Sequence, residues 1–102
     1  MVLKTGVKYG ICQHKDAGNG VWKMVKILFL CHGNICRSPM AEYILKDMAV
    51  RAGVADRFEI DSAAVSREEI GNPVYPAARR ELGRHGVFCG DHTARQVTAA
   101  DL

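Results

Sequence analysis

The six residues Val25-Lys-Ile-Leu-Phe-Leu30 constrain this fold more than any other stretch of the chain. Apart from Lys26 they are all apolar. The run is far shorter than the roughly 20 residues a membrane-spanning helix needs. It is also too continuous for a strand with one wet face, and it reads as a parallel strand buried on both sides. The next residues fit that reading. Cys31–Ser38 is a short loop, and Pro39 sits in a first helical turn, where its missing N–H would have had no partner anyway. In the segment that follows, Met40–Val50, Ala41, Ile44, Leu45 and Met48 recur at helical spacing. That spacing points Ile44 and Met48, with Tyr43, toward a core. Gly53 is a helix stop.

A second strand is expected over Phe58–Ser62, so that Val25–Ser62 forms one βαβ unit with a parallel sheet and a right-handed crossover. Ala63–Tyr75 reads as a loop that turns at Gly71-Asn-Pro73. A second helix starts at Pro76 and ends near Gly86, and Val87–Gln96 looks irregular. Thr98-Ala-Ala-Asp101 has the form of a capping box and announces a further helix, in whose first turn Leu102 falls. The fold class is therefore α/β, with 102 residues enough for one domain.

Two parallel strands leave one edge of Val25–Leu30 unpaired, a hazard that natural folds cover. Either the N-terminal extension or another chain is expected to cover it, the second as a homodimer or swapped assembly. Residues 1–23 alternate weakly over Val2–Ile11, with a turn over Lys15–Gly20. They read as a hairpin or as a disordered extension, and their terminal position favours disorder. The domain proper is expected over 24–102, incomplete at its C-terminal end.

Charge and cysteine usage exclude several classes of function. The net charge is only +3, and no basic run interleaves with aromatic residues, so nucleic acid is not an expected partner. Met1–Gly10 lacks the apolar core of a signal peptide. The four cysteines, Cys12, Cys31, Cys36 and Cys89, then read as reduced thiols of a cytoplasmic protein, with no membrane segment.

The loop carries the chemistry. Cys31-His-Gly-Asn-Ile-Cys-Arg-Ser38 has the form C-x5-R-S between a buried strand and a helix N-terminus. Five intervening residues, His32, Gly33, Asn34, Ile35 and Cys36, can curl so that successive N–H groups converge on one anion. The unpaired donors of the helix start add to them. Gly33 permits a turn that a Cβ resists, and Asn34 tolerates a left-handed backbone. Arg37 offers two parallel donors to phosphoryl oxygens. This electropositive ring is expected to keep Cys31 a thiolate near neutral pH, and Ser38 is placed to donate a hydrogen bond to it. Cys31 could then attack phosphorus and form a cysteinyl-phosphate that water hydrolyses. Cys36 could close a reversible disulfide with Cys31, shielding it from over-oxidation.

These residues, with Ile60-Asp-Ser-Ala-Ala64, Gly71-Asn-Pro73 and His92-Thr-Ala-Arg-Gln-Val-Thr-Ala99, resemble the low-molecular-weight protein tyrosine phosphatases. The resemblance runs from Met24 to Leu102. It implies a flavodoxin-like parallel sheet with flanking helices, of which the N-terminal part is present, and a metal-free, cofactor-free two-step mechanism. The implied substrate is a phosphotyrosine protein or a small phosphate or oxyanion. Cys31 becomes the nucleophile, Arg37 the phosphate clamp, and Asn34, Ser38 and Ser62 the network that shapes the loop, with Cys36 as second thiol.

The chain departs from that family in two respects. No Asp-Pro pair occurs in it, so the family's general acid is not found here, and turnover of phosphotyrosine is expected to be impaired. Glu68 stands where relatives present an aromatic wall. Thiol-dependent arsenate reductases share the loop but need a paired downstream thiol segment that Val87-Phe-Cys-Gly90 does not resemble. Arginine phosphatases resemble a loop with Thr at the position of Ile35. A catalytically weak phosphate-binding or oligomerisation module is the non-enzymatic alternative. A zinc site from Cys12, His14, Cys31 and His32 lacks the usual spacing.

Overall fold

A computed structural model describes residues 2–11 and 21–102, with side chains from Met24 onward. The expected turn at 15–20, and Cys12 and His14 with it, lies outside the described residues. Three strands, β1 (Val2–Ile11), β2 (Val21–Cys31) and β3 (Phe58–Ala64), form one sheet in the order β1-β2-β3. β2 and β3 are parallel, from Val25↔Phe58 to Cys31↔Ala64. The helix α1 (Arg37–Arg51) connects them, as the βαβ reading requires.

β1 changes the expectation for the N-terminal stretch. Residues 2–11 pair antiparallel with β2 over its full length, from Val2↔Leu30 to Ile11↔Val21, in place of the disorder that their terminal position favours. The physical reason lies in β2, whose unpaired N–H and C=O groups on that side find partners in an adjacent extended segment. The exposed edge from which a dimer or swapped assembly was argued is thereby occupied within the chain.

The sheet is covered unequally. Leu28, Leu30 and Ala63 are buried on one face, with Val97 packed against them. The pleat puts Ile27, Phe29, Ile60 and Ser62 on the other face, where the Ser62 hydroxyl reaches α1. Ile27 and Phe29 there are only half-buried. A second cluster, Tyr43, Val74, Ala78 and Leu82, joins α1 to α2 (Pro76–Arg84).

The inward face of α1 differs from the expected one. Ser38, Pro39, Glu42, Tyr43 and Ala49 are buried, whereas Ile44 and Met48 are 41% and 58% exposed. Polar Ser38 and Glu42 turn inward because each has a buried hydrogen-bond partner. α2 starts at Pro76 and closes through Gly86 at φ +69°, a left-handed conformation that glycine adopts without strain. The capping box at Thr98 is present but opens only a 3₁₀ turn, Ala99–Asp101.

Candidate active site

The loop leaves β2 at Cys31 and enters α1 at Arg37, so its backbone amides gather over the carboxyl end of the sheet. Asn34 is the turning point, at φ +60°, the one non-glycine residue with positive φ among the described residues. Its side chain holds the turn from two sides. Nδ2 donates to Ser38 Oγ at 2.8 Å, and Oδ1 accepts from the Arg95 N–H at 3.2 Å. His92 Nε2 donates to the Asn34 carbonyl at 2.8 Å. Asn34 and Ser38 are fully buried, yet both are satisfied.

These contacts converge on one sulfur. Ser38 Oγ lies 2.9 Å from Cys31 Sγ, and the Asn34 N–H donates to the same sulfur at 3.2 Å. Because the Asn34 amide already fills a lone pair of Ser38 Oγ, the serine proton is free to point at Cys31. Burial alone would raise the pKa of this thiol. The Ser38 hydroxyl and the N–H groups of Ser38, Asn34 and Gly33 outweigh burial, and the pKa falls below its ordinary 9.0. These short-range donors are the leading causes that lower it. Arg37 is exposed and makes no hydrogen bond or ion pair among the described residues, so its donors are available to an anion.

Gly33 serves differently from the expectation. Its φ is not positive; a Cβ there would come within 3.2 Å of Glu69 Cγ, so the close approach of a neighbouring segment is what favours glycine. That segment is bound to the loop by backbone bonds, Val65 N–H to Cys31 O at 3.0 Å and Ser66 N–H to His32 O at 3.1 Å. Its far end returns through the Tyr75 N–H to Ile35 O at 2.7 Å. His32, at the exposed mouth, pairs with Glu68 at 3.0 Å. Cys36, half-buried and free, packs beside the cluster around Tyr43.

The structure does not bring Ser62 to the loop. Its hydroxyl donates to buried Glu42, whose other oxygen pairs with Lys46. Sequence reasoning missed Glu42 because a carboxylate in an amphipathic helix normally faces water. It also missed Arg95, which binds Asp101 through two nitrogens at 2.9 and 3.0 Å and Asp61 at 3.0 Å. The hydrogen bonds from Arg95 hold the Asp101 carboxyl well below the usual carboxylate range, so Asp101 is ionised near neutral pH. Tyr43, edge-on to His92, is pushed up to about 12, by burial first and then by neighbouring Glu42. Among the described residues no group of three or more His, Cys, Asp or Glu is placed to hold a metal ion. Nor is any helix long and apolar enough to cross a membrane.

The family model described as "Low molecular weight phosphotyrosine protein phosphatase" matches residues 26–102. The chain belongs to that family. A curated relative from Bacillus subtilis (strain 168), the low molecular weight protein-tyrosine-phosphatase YfkJ, is 43% identical over 79 residues, 78% of this chain and 51% of the relative. The rat phosphotyrosine protein phosphatase of the same family is 43% identical over 76 residues, 74% of this chain and 48% of its own length. Among solved structures, YfkJ superposes with a TM-score of 0.74 at 42% identity, covering 76% of this chain and 49% of YfkJ. A Drosophila arginine phosphatase superposes at 0.68 with 36% identity, covering 72% and 46%. This family member thus spans about half the length of the curated relatives it matches, and β1 lies outside the matched residues.

Proposed function

We propose that the chain is a phosphatase of phosphotyrosine proteins that works through a cysteinyl-phosphate. The observation that carries the reading is the Cys31 sulfur, held below the ordinary thiol pKa by Ser38 and the loop amides, with Arg37 open to solvent at the first residue of α1. A phosphoryl dianion in the loop would meet converging N–H donors, the positive end of α1 and the two-pronged guanidinium. Cys31 Sγ attacks phosphorus, the P–O bond to the leaving group breaks, and the electron pair departs on that oxygen. Water then attacks phosphorus and the P–S bond breaks. Sulfur returns as a thiolate stabilised by Ser38, and both protons of the water leave with inorganic phosphate, which then equilibrates with solvent.

His32, Gly33, Ile35 and Cys36 supply the curl of backbone around the anion in this reading. Asn34 and Ser38 hold it in shape. Ser62 acts one step removed, through Glu42 on α1.

No Asp-Pro pair occurs in these 102 residues, so the general acid that the family resemblance implies for the tyrosinate leaving group is not found here. Asp101, ionised and engaged by Arg95, cannot serve. General acid catalysis commonly contributes about 10²–10⁴-fold, so the chain alone turns over activated aryl phosphates better than phosphotyrosine. Ile35, an apolar residue within the loop, favours an aryl ester over phosphoarginine. The cytoplasm, where thiols stay reduced, suits a nucleophile of this kind.

The test is para-nitrophenyl phosphate turnover together with alkylation by iodoacetamide. The sign follows from the depressed pKa: Cys31 reacts as thiolate down to a midpoint below 9.0, and phosphate or vanadate protects it. Nitrophenol release should vanish in Cys31→Ser. A thiol whose midpoint does not fall below 9.0 and that is indifferent to both anions overturns the reading.

A further inference from the structure

The segment that borders the loop carries a feature that phosphate chemistry does not use. Residues 65–75 are tied to the loop at both ends, by Val65 and Ser66 at Cys31 and His32, and by Tyr75 at Ile35. Ser66 adds a side-chain bond, its hydroxyl donating to the His32 carbonyl at 2.9 Å. The segment therefore forms a fixed rim around the place where a substrate's phosphate would enter.

Two carboxylates sit on the His32–Gly33 side of that rim. Glu69 packs over Gly33 and accepts from Asn72 Nδ2 at 2.6 Å, so its charge is partly engaged. Glu68 is different. Its side chain is 70% exposed, and among the described residues its carboxylate's hydrogen-bond partner is His32 Nε2 at 3.0 Å, itself 61% exposed and part of the loop. The rim's one cation, Arg67, is drawn away to Gln96 at 3.1 Å. At its other end, where the Tyr75 N–H donates to the Ile35 carbonyl, the rim closes in half-exposed Tyr75. An incoming monoester thus meets donors at its phosphate and, on the His32 side, a solvent-exposed carboxylate.

Resting on the phosphatase reading above, we infer that Glu68 is a specificity-determining residue. It favours phosphotyrosine peptides with a lysine or arginine next to the phosphotyrosine. A dianion alone is repelled by a carboxylate at the mouth; the same dianion with a neighbouring cation satisfies both. Glu68 is solvent-exposed, so the discrimination is modest and screened by salt.

The experiment measures binding of two phosphotyrosine peptides to the full chain carrying Cys31→Ser, which prevents turnover. The peptides differ only in having Lys or Glu on both sides of the phosphotyrosine. The Lys peptide should bind about three- to fivefold more tightly at low salt, the range of one exposed ion pair. The ratio should fall toward one at high salt and in Glu68→Gln, and reverse in Glu68→Lys. Equal binding of the two peptides, or a ratio that Glu68→Gln leaves unchanged, overturns this inference and spares the phosphatase reading. Failure to bind either peptide overturns this inference, and it overturns the phosphatase reading as well when phosphate does not protect Cys31 of the unsubstituted chain.

Discussion

At the carboxyl ends of β2 and β3 the chain buries polar side chains, and along the outer face of α1 it exposes apolar ones. Asn34 and Ser38 are wholly enclosed, whereas Val50 is 66% exposed and Met48 nearly as much. The two regions close by different means. A buried amide or hydroxyl is stable wherever a few well-aimed partners satisfy it, and Ser38, Arg95 and His92 provide them locally. An apolar stripe needs area, and the described residues cover Ile44 and Met48 only in part, leaving them 41% and 58% exposed. Site geometry can therefore be self-contained in a unit whose apolar surface is not.

That contrast can be broken experimentally, starting beneath the loop. Leu82→Ala removes the largest fully buried apolar side chain from the cluster joining α1 and α2. Cavity formation should cost about 2–5 kcal/mol in denaturant unfolding. A cost under about 1 kcal/mol would mean that the site end does not depend on this packing. Asn34→Gly keeps the left-handed backbone accessible while deleting both side-chain bonds. It should lose about 1–3 kcal/mol, with the Cys31 alkylation midpoint moving to higher pH. An unmoved midpoint would show that Ser38 holds its orientation unaided. The smallest effect is expected on the other side: Ile44→Lys and Met48→Lys should each change stability by no more than about 0.5 kcal/mol. A large loss at either would show that the outer face is covered after all.

The sequence was most legible where the pattern was local. The apolar run, Pro39, Phe58 and Pro76 mark elements that the structure places at those positions, because strand burial and proline geometry depend on near neighbours. The left-handed Asn34 and its bonds were legible for the same reason. The α1 face was misread because helical spacing of apolar residues ignores the possibility that Ser38 and Glu42 find partners inside. Arg95 and His92 reach the loop from about 60 residues away, and no period or spacing encodes such contacts. Gly33 reads as a residue suited to a turn by its freedom at φ, whereas its φ is not positive and a Cβ there would crowd the Glu69 side chain.

Covering β2 from its N-terminal side has a kinetic consequence. Ile11 and Val21, the innermost partners of β1 and β2, are ten residues apart, whereas Val25 and Phe58, the first partners of β2 and β3, are 33 apart. Closing the shorter loop costs less entropy, and hairpins form in about 1–10 μs. Emerging first from the ribosome, the ladder can zip before the helical crossover exists. The stickiest strand in the chain is thus shielded on one flank while its permanent parallel neighbour is still being synthesised.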